Sequence, residues 1–368
     1  MKVQFNRLAL AEAMGILTSV IPSRTPKAIL KGVRIEAKED CVHLYATDLE
    51  VGLSYVISEV QVVEVGQTVL DAERLAAIVR ESTADVLNIE VKESTCEIFG
   101  VDSHFTIYGQ DPTQFPMVPI FTDEPDIEVN LEKLQYATKQ CLFATAKESS
   151  RYAINGVLWE AEGKKLALVA TDGRRLAKTG VTLVAAPTGD NATPSMIVPA
   201  KTMALLERIS AHEKDTVLLK LVGSQLLIRC AHVVIMSNLV DGNFPKYEEI
   251  IPKDYDKKIM LNTEMVASAV RQASLLASEE SKGIKMTISE NTLIFSGRAP
   301  EAGAAEVTMT IDYTGEPISM GFNPQFLIDA FRVIKTPEFE FDLGQPDRPG
   351  LIRSGSQFMY VIMPINLA

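Results

Sequence analysis

Apolar residues follow one of two patterns, and segments with the one pattern take turns along the chain with segments with the other. In residues 131–147 and 263–277 they recur every three or four positions, and residues 6–21 follow the same spacing more loosely. This spacing predicts amphipathic helices with one face against a core. Between the helices, runs such as Val33–Ala37 alternate apolar and polar positions, and turns such as Glu162–Lys164 separate them, which is typical of β-hairpins. The chain is therefore predicted to have an α+β fold, with helices packed on antiparallel sheets.

These patterns recur three times, with a period above 120 residues. Three similar helix-start segments begin at Val69, Ile197 and Met320. Further matches are Thr47–Glu50 with Thr171–Arg174, 124 residues apart, and Phe115–Pro116 with Phe244–Pro245, 129 residues apart. Each repeat is predicted to be one domain with two helices and roughly eight strands. The predicted domains are residues 1–126, 127–255 and 256–368.

Charge is distributed unevenly along the chain. Acidic residues number 48 and basic residues 36, and the net charge of −12 taken alone argues against a nucleic-acid-binding protein. The predicted helices span residues 6–21, 71–80, 131–147, 200–214, 262–278 and 323–335. They carry twelve basic and eight acidic side chains, so the rest of the chain is strongly acidic. Helices gathered on one mildly positive surface would suit the phosphate backbone of DNA; lysines that merely solvate the helix faces are the alternative.

Several classes of protein are disfavoured by what the chain lacks. No apolar run reaches the length of a membrane span, and the N-terminal apolar segment is broken by polar residues, unlike a signal peptide. We therefore expect a cytoplasmic protein without membrane contact. The four cysteines are scattered among apolar residues, which predicts reduced, buried thiols. The four histidines are also scattered, so neither a metal site nor a cofactor is expected.

No catalytic motif is present either. The chain has no phosphate-binding glycine loop, nucleophile elbow or zinc-protease motif. A metal-dependent enzyme acting on nucleic acid would have to use Asp172, perhaps together with Asp48, to hold Mg²⁺. A plain turn is the other interpretation, because Asp-Gly is a common turn sequence at the end of a strand. A sequence-specific DNA-binding repeat protein is a third hypothesis.

Four strings, together with the threefold repeat, give the chain a family resemblance. They are Arg151–Gly156, Thr171–Ala177, Leu239–Pro245 and Tyr360–Ile365. In their order and spacing they resemble the beta subunit of bacterial replicative DNA polymerase, the sliding clamp, and the resemblance covers the whole chain. It implies a non-catalytic processivity factor for DNA replication: a head-to-tail homodimeric ring, lined by helices, that encircles double-stranded DNA without reading its sequence. The implied partners are a clamp loader, the catalytic subunit of the replicative DNA polymerase, other DNA polymerases and repair proteins.

The resemblance also implies two sets of site residues. Partner peptides would enter a cleft between the second and third domains, with apolar walls and arginines at the rim. Its predicted residues are Arg151, Ile154, Thr171, Gly173, Arg174, Arg175, Leu176, Pro245, Ile250, Val361, Ile362, Met363, Pro364 and Ile365, with Asn323 and Phe326 at a second subsite. The predicted DNA-binding residues are Arg24, Lys27, Tyr152 and Lys201. Glu148, Ala153 and Glu249 depart from the family pattern beside these sites.

Overall fold

The computed structural model describes residues 1–121, 124–147, 152–187, 195–210, 215–277 and 283–367. Six α-helices lie within these ranges. They are α1 Arg7–Leu17, α2 Ala72–Glu81, α3 Leu131–Leu142, α4 Ala200–Leu206, α5 Thr263–Ser274 and α6 Pro324–Val333. No helix in this part of the chain is both long and apolar enough to cross a membrane.

The strands are grouped here by repeat. The first repeat has β1 Lys2–Asn6, β2 Gly32–Ala37, β3 Val42–Thr47, β4 Val51–Ile57, β5 Val60–Glu64, β6 Gly66–Asp71, β7 Val86–Lys92, β8 Thr95–Phe99 and β9 His104–Tyr108. The second has β10 Ile127–Asn130, β11 Gly156–Glu162, β12 Lys165–Thr171, β13 Arg175–Thr182, β14 Ser195–Pro199, β15 Thr216–Val222, β16 Gln225–Cys230 and β17 Val233–Asn238. The third has β18 Lys257–Asn262, β19 Ile284–Ser289, β20 Thr292–Ala299, β21 Gly303–Thr310, β22 Ile318–Phe322, β23 Glu338–Leu343, β24 Gly350–Ser354 and β25 Phe358–Ile362.

The order of elements repeats as the sequence predicts. Each repeat runs strand, helix, a group of strands, helix, and three final strands. The first repeat has one extra strand, β5, which pairs with β1. All ladders between the described strands are antiparallel, and Gly163 and Gly223 turn two of the predicted hairpins at positive φ. The prediction of an α+β fold with two helices and about eight strands per repeat is confirmed.

Helix starts were easier to predict than helix ends. The side chains of Asn6, Asp71, Asn262 and Asn323 accept hydrogen bonds from N–H groups of the first helical turn, as helix N-caps do. By contrast α3 ends at Leu142 and not at residue 147, and α4 ends at Leu206 and not at 214. After Leu142 the backbone turns more tightly: Ala144 and Thr145 donate to carbonyls three residues back. Residues 211–214 and 278 of the predicted helices lie outside the described ranges.

Two apolar residues of the predicted amphipathic helices are exposed and not buried. Leu8 and Met265, each in the first turn of its helix, are 66% and 53% exposed. The buried stripe of α1 instead runs through Leu10, Ala13, Met14 and Leu17, which places Leu8 on the opposite side. Because the observed helices are shorter than predicted, their charge also changes. With the bounds seen in the structure, the six helices carry eight basic and six acidic side chains. The predicted positive excess on the helices is thus halved.

The chain packs into two compact units, and both cut across the middle repeat. One comprises residues 1–132, 183–192 and 201–239, and the other comprises residues 133–182, 193–200 and 240–368. The physical reason lies in the sheets. In the first unit an eight-stranded sheet has the order β10-β15-β16-β17-β4-β3-β2-β6, so β17 of repeat two pairs with β4 of repeat one. In the second unit the order β14-β11-β12-β13-β25-β24-β23-β18 joins β13 of repeat two to β25 of repeat three.

Each unit also contains one smaller sheet. The first unit has a five-stranded sheet in the order β5-β1-β7-β8-β9, and the second has a four-stranded sheet in the order β21-β20-β19-β22. Strands β9 and β21 are edges of these sheets, and each has one side without a strand partner in the described part of the chain. An edge strand with free backbone groups is a template for pairing with another chain.

The repeated Thr-Asp strings form the same turn twice. Thr47 and Thr171 each donate their hydroxyl to the carbonyl four residues later, at 2.9 and 2.6 Å. Asp48 accepts from the N–H groups two and three residues ahead, and Asp172 does the same in the second repeat. The third turn residue has a left-handed backbone in both turns: Gly173 has φ 85° and Leu49 has φ 81°. The strings therefore match because they specify one turn geometry.

All four cysteines are free thiols. Cys96, Cys141 and Cys230 are buried, as predicted, whereas Cys41 is only half-buried. Burial raises the pKa of the Cys96 thiol to about 12 and that of Cys230 to about 11, and it also raises the pKa of Cys141.

Candidate functional site

The predicted cleft residues that are described all lie in the second compact unit, whereas Arg151 lies outside the described residues. Leu176 on β13 lies opposite Val361 on β25 in the sheet that joins repeats two and three. Both side chains are 1% exposed. Residues that are 185 positions apart in the sequence are thus adjacent, as the resemblance implied, but they form the floor of the site and not its open wall.

A larger apolar cluster surrounds this pair. Besides Leu176 and Val361 it contains Ala153, Leu158, Val169, Ile197, Tyr247 and Leu351, with Val240, Phe244, Ile251, Tyr255 and Met359 packed against it. Sequence reasoning placed only Leu176 and Val361 in it. From the sequence, Ala153 was interpreted as a departure from the family pattern beside the DNA-binding residues. In the structure it is 6% exposed and belongs to this apolar cluster.

Tyr247 anchors the cluster and was not predicted. Its hydroxyl donates to Glu160 at 2.7 Å and accepts from Lys178 Nζ at 3.1 Å. Burial and the hydrogen bond to the Glu160 carboxylate raise the pKa of Tyr247, so the ring stays neutral and can remain buried. Its position two residues after Pro245, just beyond the matched Phe244–Pro245 string, is the signal that could have found it.

The exposed apolar groups at this site are Ile250 and Met363. They are 40% and 37% exposed, while Pro245 is half-buried. The backbone N–H of Met363 donates to the carbonyl of Arg174 at 3.0 Å, which fixes the chain after β25 next to the Gly173-Arg174 turn. Gly173 and Arg174 are themselves exposed. Groups that could receive an incoming apolar side chain therefore lie beside a buried floor.

Arg175, predicted as a cleft residue, makes contacts within the protein that the sequence did not reveal. Its side chain is 10% exposed and pairs with Asp172 at 3.0 Å and with Asp329 of α6 at 2.8 Å. It also donates to the carbonyl of Phe143 at 2.7 Å and stacks 4.3 Å from the ring centre of Phe326. Burial opposes its charge, but the hydrogen bond to Asp329 and the interactions with Tyr360 and Asp172 together outweigh burial, and the pKa of Arg175 is raised. A guanidinium with all these partners holds α6 against the sheet, whereas the neighbouring Arg174 is exposed to solvent.

The remaining cleft residues have mixed positions. Ile154 and Ile362 are buried, and the hydroxyl of Thr171 serves its turn. Asn323 caps α6 by accepting from Gln325 N at 2.9 Å, which leaves it half-buried.

The last residues lead away from the cleft. The backbone N–H of Ile365 donates to Gly321 O at 2.8 Å, and the side chains of Ile365 and Leu367 lie directly over Gly283, where any Cβ would clash at 2.4 Å. Pro364 and Ile365 line a separate cavity of about 640 Å³ beside Lys285.

The predicted DNA-binding residues differ in how far their side chains are exposed. Arg24 and Lys27 are exposed, on the loop between α1 and β2, and Tyr152 is 47% exposed. Lys201, at the start of α4, is only 37% exposed, because its ammonium pairs with Asp48 at 2.5 Å and donates to Val20 O at 2.9 Å. Lys201 therefore ties α4 to the first repeat within its own unit, a structural contact that the sequence did not reveal.

The two carboxylates of the alternative metal-site hypothesis are occupied by their own turns. Asp48 accepts two backbone N–H groups and the Lys201 ammonium, and Asp172 accepts two backbone N–H groups and the Arg175 guanidinium. Across the described ranges, no group of three or more His, Cys, Asp or Glu side chains is placed to hold a metal ion. Both residues are explained by turn geometry.

Comparisons with known proteins agree over the full length. Three family models match in succession, described as the N-terminal, central and C-terminal domains of the DNA polymerase III beta subunit, at residues 1–119, 128–246 and 248–366. The chain is 30% identical to the beta sliding clamp of Caulobacter vibrioides, with all of both chains covered. Among solved structures it matches the DNA polymerase III subunit beta of Pseudomonas aeruginosa (28% identity, TM-score 0.91) and the sliding clamp of Bacillus subtilis (26%, TM-score 0.92), again over 100% of each chain.

Proposed function

Because the chain belongs to the family of DNA polymerase III beta subunits, the beta sliding clamps, we propose that two copies close head to tail into a ring around double-stranded DNA. The family is the non-catalytic processivity subunit of the replicative polymerase. Acting in the cytoplasm, the ring would be opened by a clamp loader. It would then hold the polymerase catalytic subunit, other DNA polymerases and repair proteins through the peptide cleft of the second unit. We also propose domain boundaries at 126/127 and 255/256. The first falls in the gap between the first two matched family models, and the second lies eight residues inside the third.

The pairing of strands between repeats carries the ring proposal. At each junction within the chain, the strand that follows the Thr-Asp turn pairs with the last strand of the next repeat: β4 with β17, and β13 with β25. The register is the same at both, since Gly52 lies opposite Met236 and Leu176 lies opposite Val361. Continued once more, this rule pairs β21 of repeat three with β9 of a repeat one. Within the described part of the chain both are edge strands of their sheets, and a second copy would supply the partner.

The same rule gives the residues that face each other between copies. Equivalent positions are found by counting along the strands from the preceding hairpin, which is β11–β12 in repeat two and β19–β20 in repeat three. By this count Ala304 on β21 corresponds to Leu176 on β13. Thr106 on β9 likewise occupies the position of Met236. Ala304 should therefore lie directly opposite Thr106 of the partner subunit, whereas Ala305 should point to the other face of the sheet.

A cysteine pair tests this contact. We expect the wild-type protein to have a solution mass of about twice 40.4 kDa. The double variant Ala304→Cys/Thr106→Cys should oxidise to a covalent dimer, because directly opposed Cβ atoms lie about 4.5–5.5 Å apart. The matched control Ala305→Cys/Thr106→Cys should not. The readout is a non-reducing gel. A monomer at micromolar concentration, or equal cross-linking of both pairs, would contradict the head-to-tail ring.

Holding of DNA should be topological and electrostatic. After loading, the protein should stay on circular DNA and slide off linear DNA at moderate salt. Arg24→Glu/Lys27→Glu should weaken loading several-fold. Each lost phosphate contact lowers the number of counterions released on binding, and each new glutamate carries a negative charge that the phosphate backbone repels. Lys92→Glu on β7 is the control, exposed but outside the proposed DNA-facing set. Equal retention on circular and linear DNA would count against encirclement and in favour of an ordinary DNA-binding protein.

A further inference from the structure

We propose that the junction between repeats one and two is a second copy of the peptide cleft, closed by the chain's own Val118 and Phe121. The proposal rests on the peptide cleft of the proposed function. Its evidence comes entirely from the first compact unit, compared position by position with the second. The ligand class of this closed site is an extended peptide with a large apolar or aromatic side chain, the kind of group that Phe121 supplies.

The two junctions share one backbone plan. Strands β4 and β17 pair in the register of β13 and β25, so Gly52 corresponds to Leu176 and Met236 corresponds to Val361. The segments that follow the matched Phe-Pro strings correspond as well. At the spacing of 129 residues, Val118 corresponds to Tyr247 and Phe121 to Ile250.

A missing side chain on the sheet makes room for Val118. A Cβ built on Gly52 would lie 3.0 Å from Val118 Cγ1 and 3.4 Å from Met236 Cε. Val118 is 8% exposed and packs with Phe115, Tyr45 and Val69. In the first unit, the space that Leu176 fills in the second is therefore taken by a side chain from the connecting segment.

Phe121 then covers the rest of the floor. It is 5% exposed and packs on Leu227 and Met236, with the Arg229 guanidinium 4.7 Å from its ring centre. Its counterpart Ile250 is 40% exposed and is not part of the cluster around Leu176. One junction thus has its aromatic occupant built in, and the other has an exposed apolar side chain at the same position.

The chain therefore carries its own occupant where a partner would otherwise bind. Phe121 comes from a connecting segment and not from a strand beneath it, so its removal should open the floor to solvent and not leave a sealed cavity. An aromatic ring with a guanidinium over its face is a well-matched contact, which a peptide aromatic could reproduce.

The test is Phe121→Ala, with Ile250→Ala as the matched control. Titrated with a labelled polymerase-tail peptide, the wild type and Ile250→Ala should each have no more than one site per chain, and Phe121→Ala should have two. The melting temperature of Phe121→Ala should also rise with added toluene, which mimics the lost side chain, while the melting temperature of the wild type should not. Phe121→Val replaces it if the alanine variant fails to fold.

The outcomes separate the two proposals. A folded Phe121 variant with one peptide site and no response to toluene overturns the second cleft. If the wild type binds no peptide, the proposed function is at fault, and the response of Phe121→Ala to toluene still decides whether Phe121 fills a ligand-like pocket.

Discussion

Met363→Ala should weaken binding of a polymerase-tail peptide by about ten-fold to a hundred-fold. Met363 is one of the two exposed apolar groups beside the buried floor of Leu176 and Val361. An apolar side chain buried against such a surface gains roughly 1.5–3 kcal/mol, and each 1.4 kcal/mol is a factor of ten in affinity. The measurement is a titration of labelled peptide with the solution mass followed in parallel. The mass should not change, because the proposed contact between copies uses β9 and β21.

Met260→Ala is the control for this experiment. Met260 is 56% exposed on β18, in the same unit, and has no place in the cleft. Its loss should leave peptide affinity unchanged. A deletion of residues 363–368 is a poorer probe, because it also removes Ile365 and Leu367 from their packing over Gly283. Unchanged affinity in Met363→Ala would place the cleft elsewhere, and a fall to the monomer mass would assign the C-terminal strand to the ring.

Arg175→Ala should lower the free energy of unfolding by about 3–5 kcal/mol, the usual cost of removing one partner from a buried ion pair. Asp172 and Asp329, which are 19% and 15% exposed in the wild type, would lose their guanidinium partner. The stacking on Phe326 and the hydrogen bond to Phe143 would be lost as well. Urea unfolding measures the change.

Arg174→Ala provides the comparison, because Arg174 is exposed and precedes Arg175 in the same turn. It should change stability by less than about 0.5 kcal/mol and act on peptide affinity alone. If the two variants lost equal stability, or if Arg175→Ala reduced peptide affinity without any loss of stability, the assignment of Arg175 to the fold would be wrong.

Local signals in the sequence were enough to predict the fold, but not the partners of charged side chains. Repeats, hairpin glycines and capping asparagines are encoded within a few residues of where they act. The pairs Arg175–Asp329 and Lys201–Asp48 join residues more than 150 positions apart, and no periodicity reports them. Both cations were predicted as site residues, and their ion pairs within the protein could not be predicted from the sequence.

The cleft was predicted from a family resemblance, and this explains which of its details could not be predicted. Strings such as Thr171–Ala177 and Tyr360–Ile365 identify which strands meet, and β13 does pair with β25. They do not say which of their side chains point inward, because that depends on the register. Leu176 and Ile362 lie inside the paired strands and are buried, whereas Arg174 and Met363 lie just beyond the ends of those strands and are exposed.

The burial of three of the four thiols makes it possible to label the protein selectively and to follow the opening of the proposed ring. Maleimide dyes react with thiolates, and Cys96, Cys141 and Cys230 are both inaccessible and held protonated by their raised pKa values. Cys41 alone is partly accessible. Replacing this one residue gives a background that is silent to labelling. A donor and an acceptor fluorophore can then be attached on either side of the proposed β9–β21 contact, where they would report the gap between the two copies in real time while a clamp loader acts.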